Sequence, residues 1–252
     1  MTTVSVEICG LPGAGKSVLA PDVAAQLLAA GVRTRAMTAA TSPDLGPITR
    51  ATAKARLAGT HLVHTPRLTP LIAAAVARDP QRRLTDRGRK LINWLASQEQ
   101  LRRSVGTGDV WLFDEGPIQA LWSIGLWGDH RPLLDRLDGA AQRLRLTDQL
   151  VFLRCRPEAA AARLEHRRDP HSRIERICDP AERSRHLRRG AALLEELVDE
   201  WERRTNQTAV VIEAPTPAPA ALGRARSASI QVRDIVIARQ QGLAEPRPGA
   251  NR

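Results

Sequence analysis

Residues 10–17 read GLPGAGKS, which sets Gly10, Gly15, Lys16 and Ser17 in the spacing G-x-x-x-x-G-K-[ST]. The chemistry of that spacing is phosphate capture. Glycines let successive backbone N–H groups curl toward phosphate oxygens where side chains would obstruct, a lysine carries charge to the terminal phosphates, and a hydroxyl can ligate a divalent cation. The apolar run VSVEIC precedes the loop and a helical composition follows it, as such a cradle requires. The helix adds the positive end of its dipole. Gly10, Leu11, Pro12, Gly13, Ala14, Gly15, Lys16, Ser17 and Val18 are therefore assigned to binding a nucleotide, with Ser17 as one ligand of Mg²⁺.

A second site of the same chemistry is expected at VWLFDEG (110–116), an apolar strand that delivers Asp114 and Glu115 to the end of a sheet. Beside a phosphate cradle, an aspartate in that place holds Mg²⁺, usually through water. The adjoining glutamate is read as the base that orients an attacking hydroxyl or water.

The elements that must position these groups follow from the apolar pattern. Strands are expected over 4–9, 32–37, 110–113, 149–155 and 208–212. Helices are expected over 17–30, 86–103, 133–145, 157–167, 180–204 and 220–240, with two more and their loops inside 41–80. Pro21 is awkward inside the first helix because it removes a hydrogen bond. PIQALWSIGLW (117–127) is strongly apolar and reads either as a core helix or as the wall of an acceptor pocket. Short apolar strands alternating with helices predict a parallel sheet covered on both faces, with ligands collecting beyond the carboxyl ends of the strands. A single domain is expected over 1–241, and residues 242–252 read as a disordered tail.

Composition narrows the function classes. The chain has 252 residues, 42% hydrophobic and 26% charged, which suits a soluble globular protein. It shows neither a membrane-spanning run nor a signal peptide, and a cytoplasmic location is the expectation. The net charge of +11 invites a nucleic-acid reading. Of 38 basic residues, however, only Lys16, Lys54 and Lys90 are lysines, tyrosine is absent, and phenylalanine occurs twice. Scattered arginines without stacking aromatics argue against nucleic acid as the main partner. Arginines grouped around a phosphate-bearing substrate explain part of the same excess. Cys9, Cys155 and Cys178 share no metal-ligand spacing and fit a reducing compartment, Cys9 and Cys155 as small buried hydrophobes. His61 and His64 have no carboxylate or cysteine near them in sequence and read as structural.

Residues 150–176, LVFLRCRPEAAAARLEHRRDPHSRIER, carry a resemblance. A strand running into Pro-Glu, arginines six and ten residues after that proline (Arg163 and Arg167), and Ser172-Arg173-Ile174-Glu175 before a long helix resemble the thymidylate kinase branch of the nucleoside monophosphate kinases. There the corresponding segment reads Asp-Arg-Ile-Glu. With the N-terminal loop, the resemblance spans the frame of residues 4–214. It implies an α/β P-loop NTPase three-layer sandwich, a five-stranded parallel sheet in the order 2-3-1-4-5, and a mobile lid near 163–180. Arg163, Arg167 and Arg173 would meet the polyphosphate there, since guanidinium forks stabilise charge on a transferring phosphoryl group. A homodimer is compatible with the resemblance.

The chain departs from that family at the acceptor. Thymidylate kinases follow the strand aspartate with arginine and an aromatic residue; here Glu115 and Gly116 follow Asp114. Val18 replaces the second hydroxyl residue that many kinases carry after the loop serine. Glutamate in place of arginine suits a hydroxyl acceptor that needs a base, and deoxynucleoside kinases also place a glutamate near this point. Arg67, Arg87 and Arg89 fall in the variable region where an acceptor would bind. The expectation is an ATP- and Mg²⁺-dependent kinase acting on a small hydroxylated or nucleotide-like molecule, with Lys16, Asp114, Glu115 and the three lid arginines as its catalytic set. The alternative is a P-loop ATPase or nucleotide switch that acts on a protein partner.

Overall fold

The computed structural model describes residues 2–36, 46–64, 84–127, 145–166, 174–214 and 221–242, with 70 and 74 singly. Five strands, β1 (Val4–Gly10), β2 (Thr34–Ala36), β3 (Val110–Phe113), β4 (Gln149–Arg154) and β5 (Val210–Glu213), form one sheet. Its order is β2-β3-β1-β4-β5, and every pairing is parallel. The expected 2-3-1-4-5 sheet is the one observed.

Seven helices are described: α1 (Lys16–Ala29), α2 (Pro47–His64), α3 (Leu84–Ser104), α4 (Pro117–Gly125), α5 (Pro157–Glu165), α6 (Pro180–Thr205) and α7 (Ala221–Gln240). They cover both faces of the sheet. α1 and α7 pack on each other and on β1, while α4 packs on β1, α3 and α6. Most boundaries fall within two residues of expectation. β2 is shorter than expected, and β5 begins at Val210 rather than 208. Both are edge strands with one neighbour, so fewer ladder bonds hold their ends. The predicted helix over 133–145 lies outside the described residues except at Arg145, which is not helical.

β1 is buried along its whole length. Period-two alternation places Val4, Val6 and Ile8 on one face and Ser5, Glu7 and Cys9 on the other. Two polar side chains therefore lie inside the molecule. Ser5 is satisfied by Asp148: the Ser5 N–H donates to Oδ2 at 2.8 Å and its hydroxyl to the same oxygen at 2.6 Å. Glu7 belongs to the site described below.

α1 includes Pro21 in its second turn, where the proline has not ended the helix. Asp179 caps α6, accepting from the Ala181 N–H at 3.0 Å, with Pro180 in the first turn. The 117–127 segment begins as a helix whose Ile118, Leu121, Trp122 and Ile124 join the core, so its helical part is the core helix of the two readings. The Trp122 indole N–H donates to the Gly190 carbonyl at 2.8 Å, fastening α4 to α6. Trp122→Phe is expected to keep the fold and lower unfolding stability by about 1 kcal/mol, the net value of a buried hydrogen bond. Urea denaturation would read this as a lower midpoint with an unchanged slope.

Cys9 and Cys155 are buried and Cys178 is exposed. Burial, aided by the nearby Glu7, pushes the Cys9 thiol well above its usual range, which suits an inert core residue. His61 is buried, with Nδ1 3.9 Å from a carboxylate oxygen of Glu99. Sequence spacing did not reveal that neighbour, because α3 supplies it. No described helix is long and apolar enough to cross a membrane.

Candidate active site

The GLPGAGKS loop leaves the carboxyl end of β1, at the centre of the sheet. Gly13 (φ +82°) and Gly15 (φ +106°) sit in the left-handed region, where a side chain is strained. A Cβ at Gly10 would lie 2.7 Å from the Leu153 carbonyl oxygen on β4, so only glycine fits there. Leu11 and Ala14 are buried and anchor the loop, while Lys16 is half-buried and Ser17 and Val18 are exposed. The Lys16 ammonium donates to the carbonyls of Gly10 at 2.6 Å and Leu11 at 3.1 Å, which holds its charge over the loop. Gly15 begins α1. This is the strand–loop–helix context that the motif demands.

Asp114 and Glu115 follow β3. Phe113 pairs in register with Glu7, so the acidic turn leaves the same edge of the sheet as the loop that follows Gly10, on the adjacent strand. Asp114 is half-buried and Glu115 exposed. A lysine that sequence spacing did not mark joins them: Lys54 of α2 donates to Glu115 Oε2 at 2.7 Å. Two of the three lysines of the chain thus stand at this edge. Lys54 and its partner are 61 positions apart, with α3 and β3 between them, and no local motif marks it.

Glu7 buttresses the turn from below. It is wholly buried, and its carboxylate accepts from the Gln119 N–H at 2.8 Å and the Ile118 N–H at 3.1 Å, at the start of α4. Burial pushes its pKa from 4.5 up to about 7, against the opposing pull of the Gln119, Ile118 and Gly116 amides and of Lys16. Gln119 returns the link, its Oε1 accepting from the Gly10 N–H at 3.2 Å. Gly116 is required by the same packing, since a Cβ there would fall 2.4 Å from the Glu7 carboxyl carbon. Gly116→Ala is accordingly expected to lose about 2 kcal/mol through overpacking. A wild-type denaturation midpoint for that variant would show that the turn has room to spare. Sequence reasoning missed Glu7, whose one signal is that it is the single charge in the run VSVEIC.

Arg163, on α5, donates through Nη1 to the carbonyls of Gly13 at 3.0 Å and Ala14 at 3.2 Å, so it braces the phosphate loop from the β4 side. Arg167, Ser172 and Arg173 lie outside the described residues, and with them much of the expected lid. Ile174 is buried in the core and Glu175 half-buried. Arg87 and Arg89 lie on α3, the first half-buried and the second exposed; Arg67 lies outside the described residues.

The donor set fits the groups implied for it. A glycine loop that tolerates no added Cβ at Gly10, a lysine fixed over it, one hydroxyl and one half-buried carboxylate are what a triphosphate with Mg²⁺ takes. That ion is commonly bound by one or two carboxylates together with substrate phosphates.

The sheet order, the central glycine-rich loop and the acidic turn on the next strand are those of the P-loop NTPase fold. Solved structures share it. A deoxyadenosine kinase from M. mycoides with products dCMP and a flexible dCDP bound superposes with a TM-score of 0.51 at 12% identity, covering 92% of this chain and 99% of that one. A thymidylate kinase from Candida albicans superposes with a TM-score of 0.52 at 15% identity, covering 95% of this chain and 93% of that one. No family model matches the sequence, and no curated protein matches it.

Proposed function

We propose that this protein is an ATP- and Mg²⁺-dependent phosphotransferase that moves the γ-phosphoryl group to the hydroxyl of a small hydroxylated or nucleotide-like molecule. The observation that carries the reading is the glycine-rich loop that leaves β1, with Gly13 and Gly15 at positive φ, and an Asp-Glu turn at the same sheet edge on β3. The fold likeness to nucleoside and nucleotide kinases over nearly whole chains supports it.

In this reading the loop amides and Lys16 hold the β- and γ-phosphates, and Ser17 and Asp114 hold the metal. Bound Mg²⁺ supplies charge neutralisation across the phosphate oxygens. Glu115 takes the proton of the acceptor hydroxyl as its oxygen bonds to the γ-phosphorus, while the bond to the β–γ bridging oxygen breaks and ADP leaves. Lys54 engages Oε2 of Glu115, which assigns proton acceptance to Oε1. Arg163 keeps the loop in shape, and Arg167 and Arg173 complete the positive surround as the lid closes and excludes water.

The test is ADP release from Mg²⁺-ATP by the full chain, alone and with pooled nucleosides, nucleoside monophosphates and other hydroxylated metabolites. Stimulation by one pool, lost in Lys16→Ala, is the expected result. Lys16-dependent release that no pool changes would replace the kinase with an ATPase or switch.

A further inference from the structure

The wholly buried Glu7 lies outside the phosphate motif, yet it touches the element that follows the acidic turn. We propose that Glu7 and Gln119 are a pair of positioning residues that lock the Asp114 turn and the phosphate loop into one rigid unit. The proposal rests on the reading of this edge as a nucleotide–Mg²⁺ site.

The geometry is reciprocal. A carboxylate on β1 accepts from two backbone N–H groups in the first turn of α4, and a side chain from that same turn accepts from the N–H of the residue that opens the loop. The link therefore runs from Glu7 through α4 to Gly10, which stands three residues beyond Glu7 on the same strand. Asp114 lies two residues before Gly116, whose backbone is pressed against the Glu7 carboxyl. The first-turn N–H groups of a helix have no acceptors within it. A fully buried carboxylate is costly unless hydrogen-bonded, so its presence at this point needs a return. The return is a fixed distance and angle between the carboxylate offered to a metal and the loop offered to phosphates. Neither Glu7 nor Gln119 is a catalytic residue in this scheme; each acts through what it holds.

The two legs have different signatures. Glu7→Gln keeps the shape of the side chain and one acceptor oxygen, but loses an acceptor for one of the two amides and with it the hold on the Asp114 turn. The factor by which Mg²⁺ strengthens ATP binding is expected to fall about ten-fold, the usual effect of removing a partner that orients a metal ligand. Affinity for metal-free ATP stays near wild type. Gln119→Met keeps volume and removes only the acceptor for the Gly10 amide. It is expected to weaken ATP binding about five-fold with and without Mg²⁺, the equivalent of one hydrogen bond.

The experiment is calorimetric titration of the full chain with ATP, with and without Mg²⁺, alongside thermal unfolding of each variant. A merely structural role would lower the melting temperature and leave the Mg²⁺ factor of the folded protein alone. Folded Glu7→Gln with the wild-type Mg²⁺ factor would overturn the proposal, as would Gln119→Met with wild-type ATP affinity. Should Glu7→Gln not fold, the Gln119→Met result decides. A wild-type chain that binds no ATP overturns the nucleotide reading itself, and that outcome is separate because it appears before any variant is made.

Discussion

Lys16→Ala is expected to lower Mg²⁺-ATP turnover by about two to three orders of magnitude, while the melting temperature stays within a few degrees of wild type. The ammonium is held on two main-chain carbonyls, at 2.6 and 3.1 Å, by the loop it serves. It therefore needs little rearrangement to meet phosphate, and it delivers a full charge at a half-buried site. Preorganised donors aimed at developing charge contribute about 3–4 kcal/mol to a transition state. Each 1.36 kcal/mol is about ten-fold in rate, which gives the expected loss. Stability should fall by about 1 kcal/mol, because the carbonyls of the buried Gly10 and Leu11 lose their donor, and for a chain of this length that moves the melting temperature by about 2–4 °C. Lys16→Arg is not expected to rescue turnover: the planar guanidinium cannot fold back over a loop this tight as the ammonium does. The comparison uses whichever acceptor pool stimulates the wild type most. A Lys16→Ala rate within ten-fold of wild type would remove the loop from the chemistry.

The sequence was legible where a single segment carries the whole signal. The loop from Gly10 to Ser17 announces itself because glycines, lysine and hydroxyl must stand at fixed spacing on one turn of chain. The strands read well because β1, β3 and β4 are central in the sheet and must be continuously apolar on at least one face. What was not legible is what only topology brings together. Lys54 meets Glu115 because α2, packed on α3, brings it to the turn after β3, and nothing in the sequence around Lys54 says so. Glu99 meets His61 for the same reason, across α2 and α3. Gln119 looks like an ordinary polar residue in an apolar helix until the Gly10 amide is placed beside it. The edge strands β2 and β5 are shorter than their composition suggests, since their ends depend on pairing. Glu7 is the intermediate case: a charge in the middle of VSVEIC was visible, but burial on both faces of β1 is what makes it informative.

That burial has a second consequence, for stability against pH. The Glu7 carboxyl is raised from 4.5 to about 7 in the folded protein. Between those values the folded state binds a proton that the unfolded state has released, so stability falls as pH rises through the window. The contribution is complete below 4.5 and lost above about 7, and its full size is roughly 3 kcal/mol. Two other buried groups titrate with the opposite sign. Burial alone would raise Glu99, but the guanidiniums of Arg102 and Arg103 overrule it and hold the carboxyl down at about 2, so its contribution is lost as pH falls below 4.5. Burial lowers the pKa of His61, which favours the folded state as pH rises toward 6.5 and partly offsets Glu7. Comparing wild type with Glu7→Gln cancels the terms of both. The stability difference between the two proteins, measured by urea denaturation from pH 4.5 to 8, is expected to shift by roughly 3 kcal/mol in favour of the variant as pH rises. Parallel profiles would mean that the carboxylate is already ionised at low pH in the fold. The amides of Gly116, Ile118 and Gln119 would then hold it strongly enough to outweigh the burial of its charge.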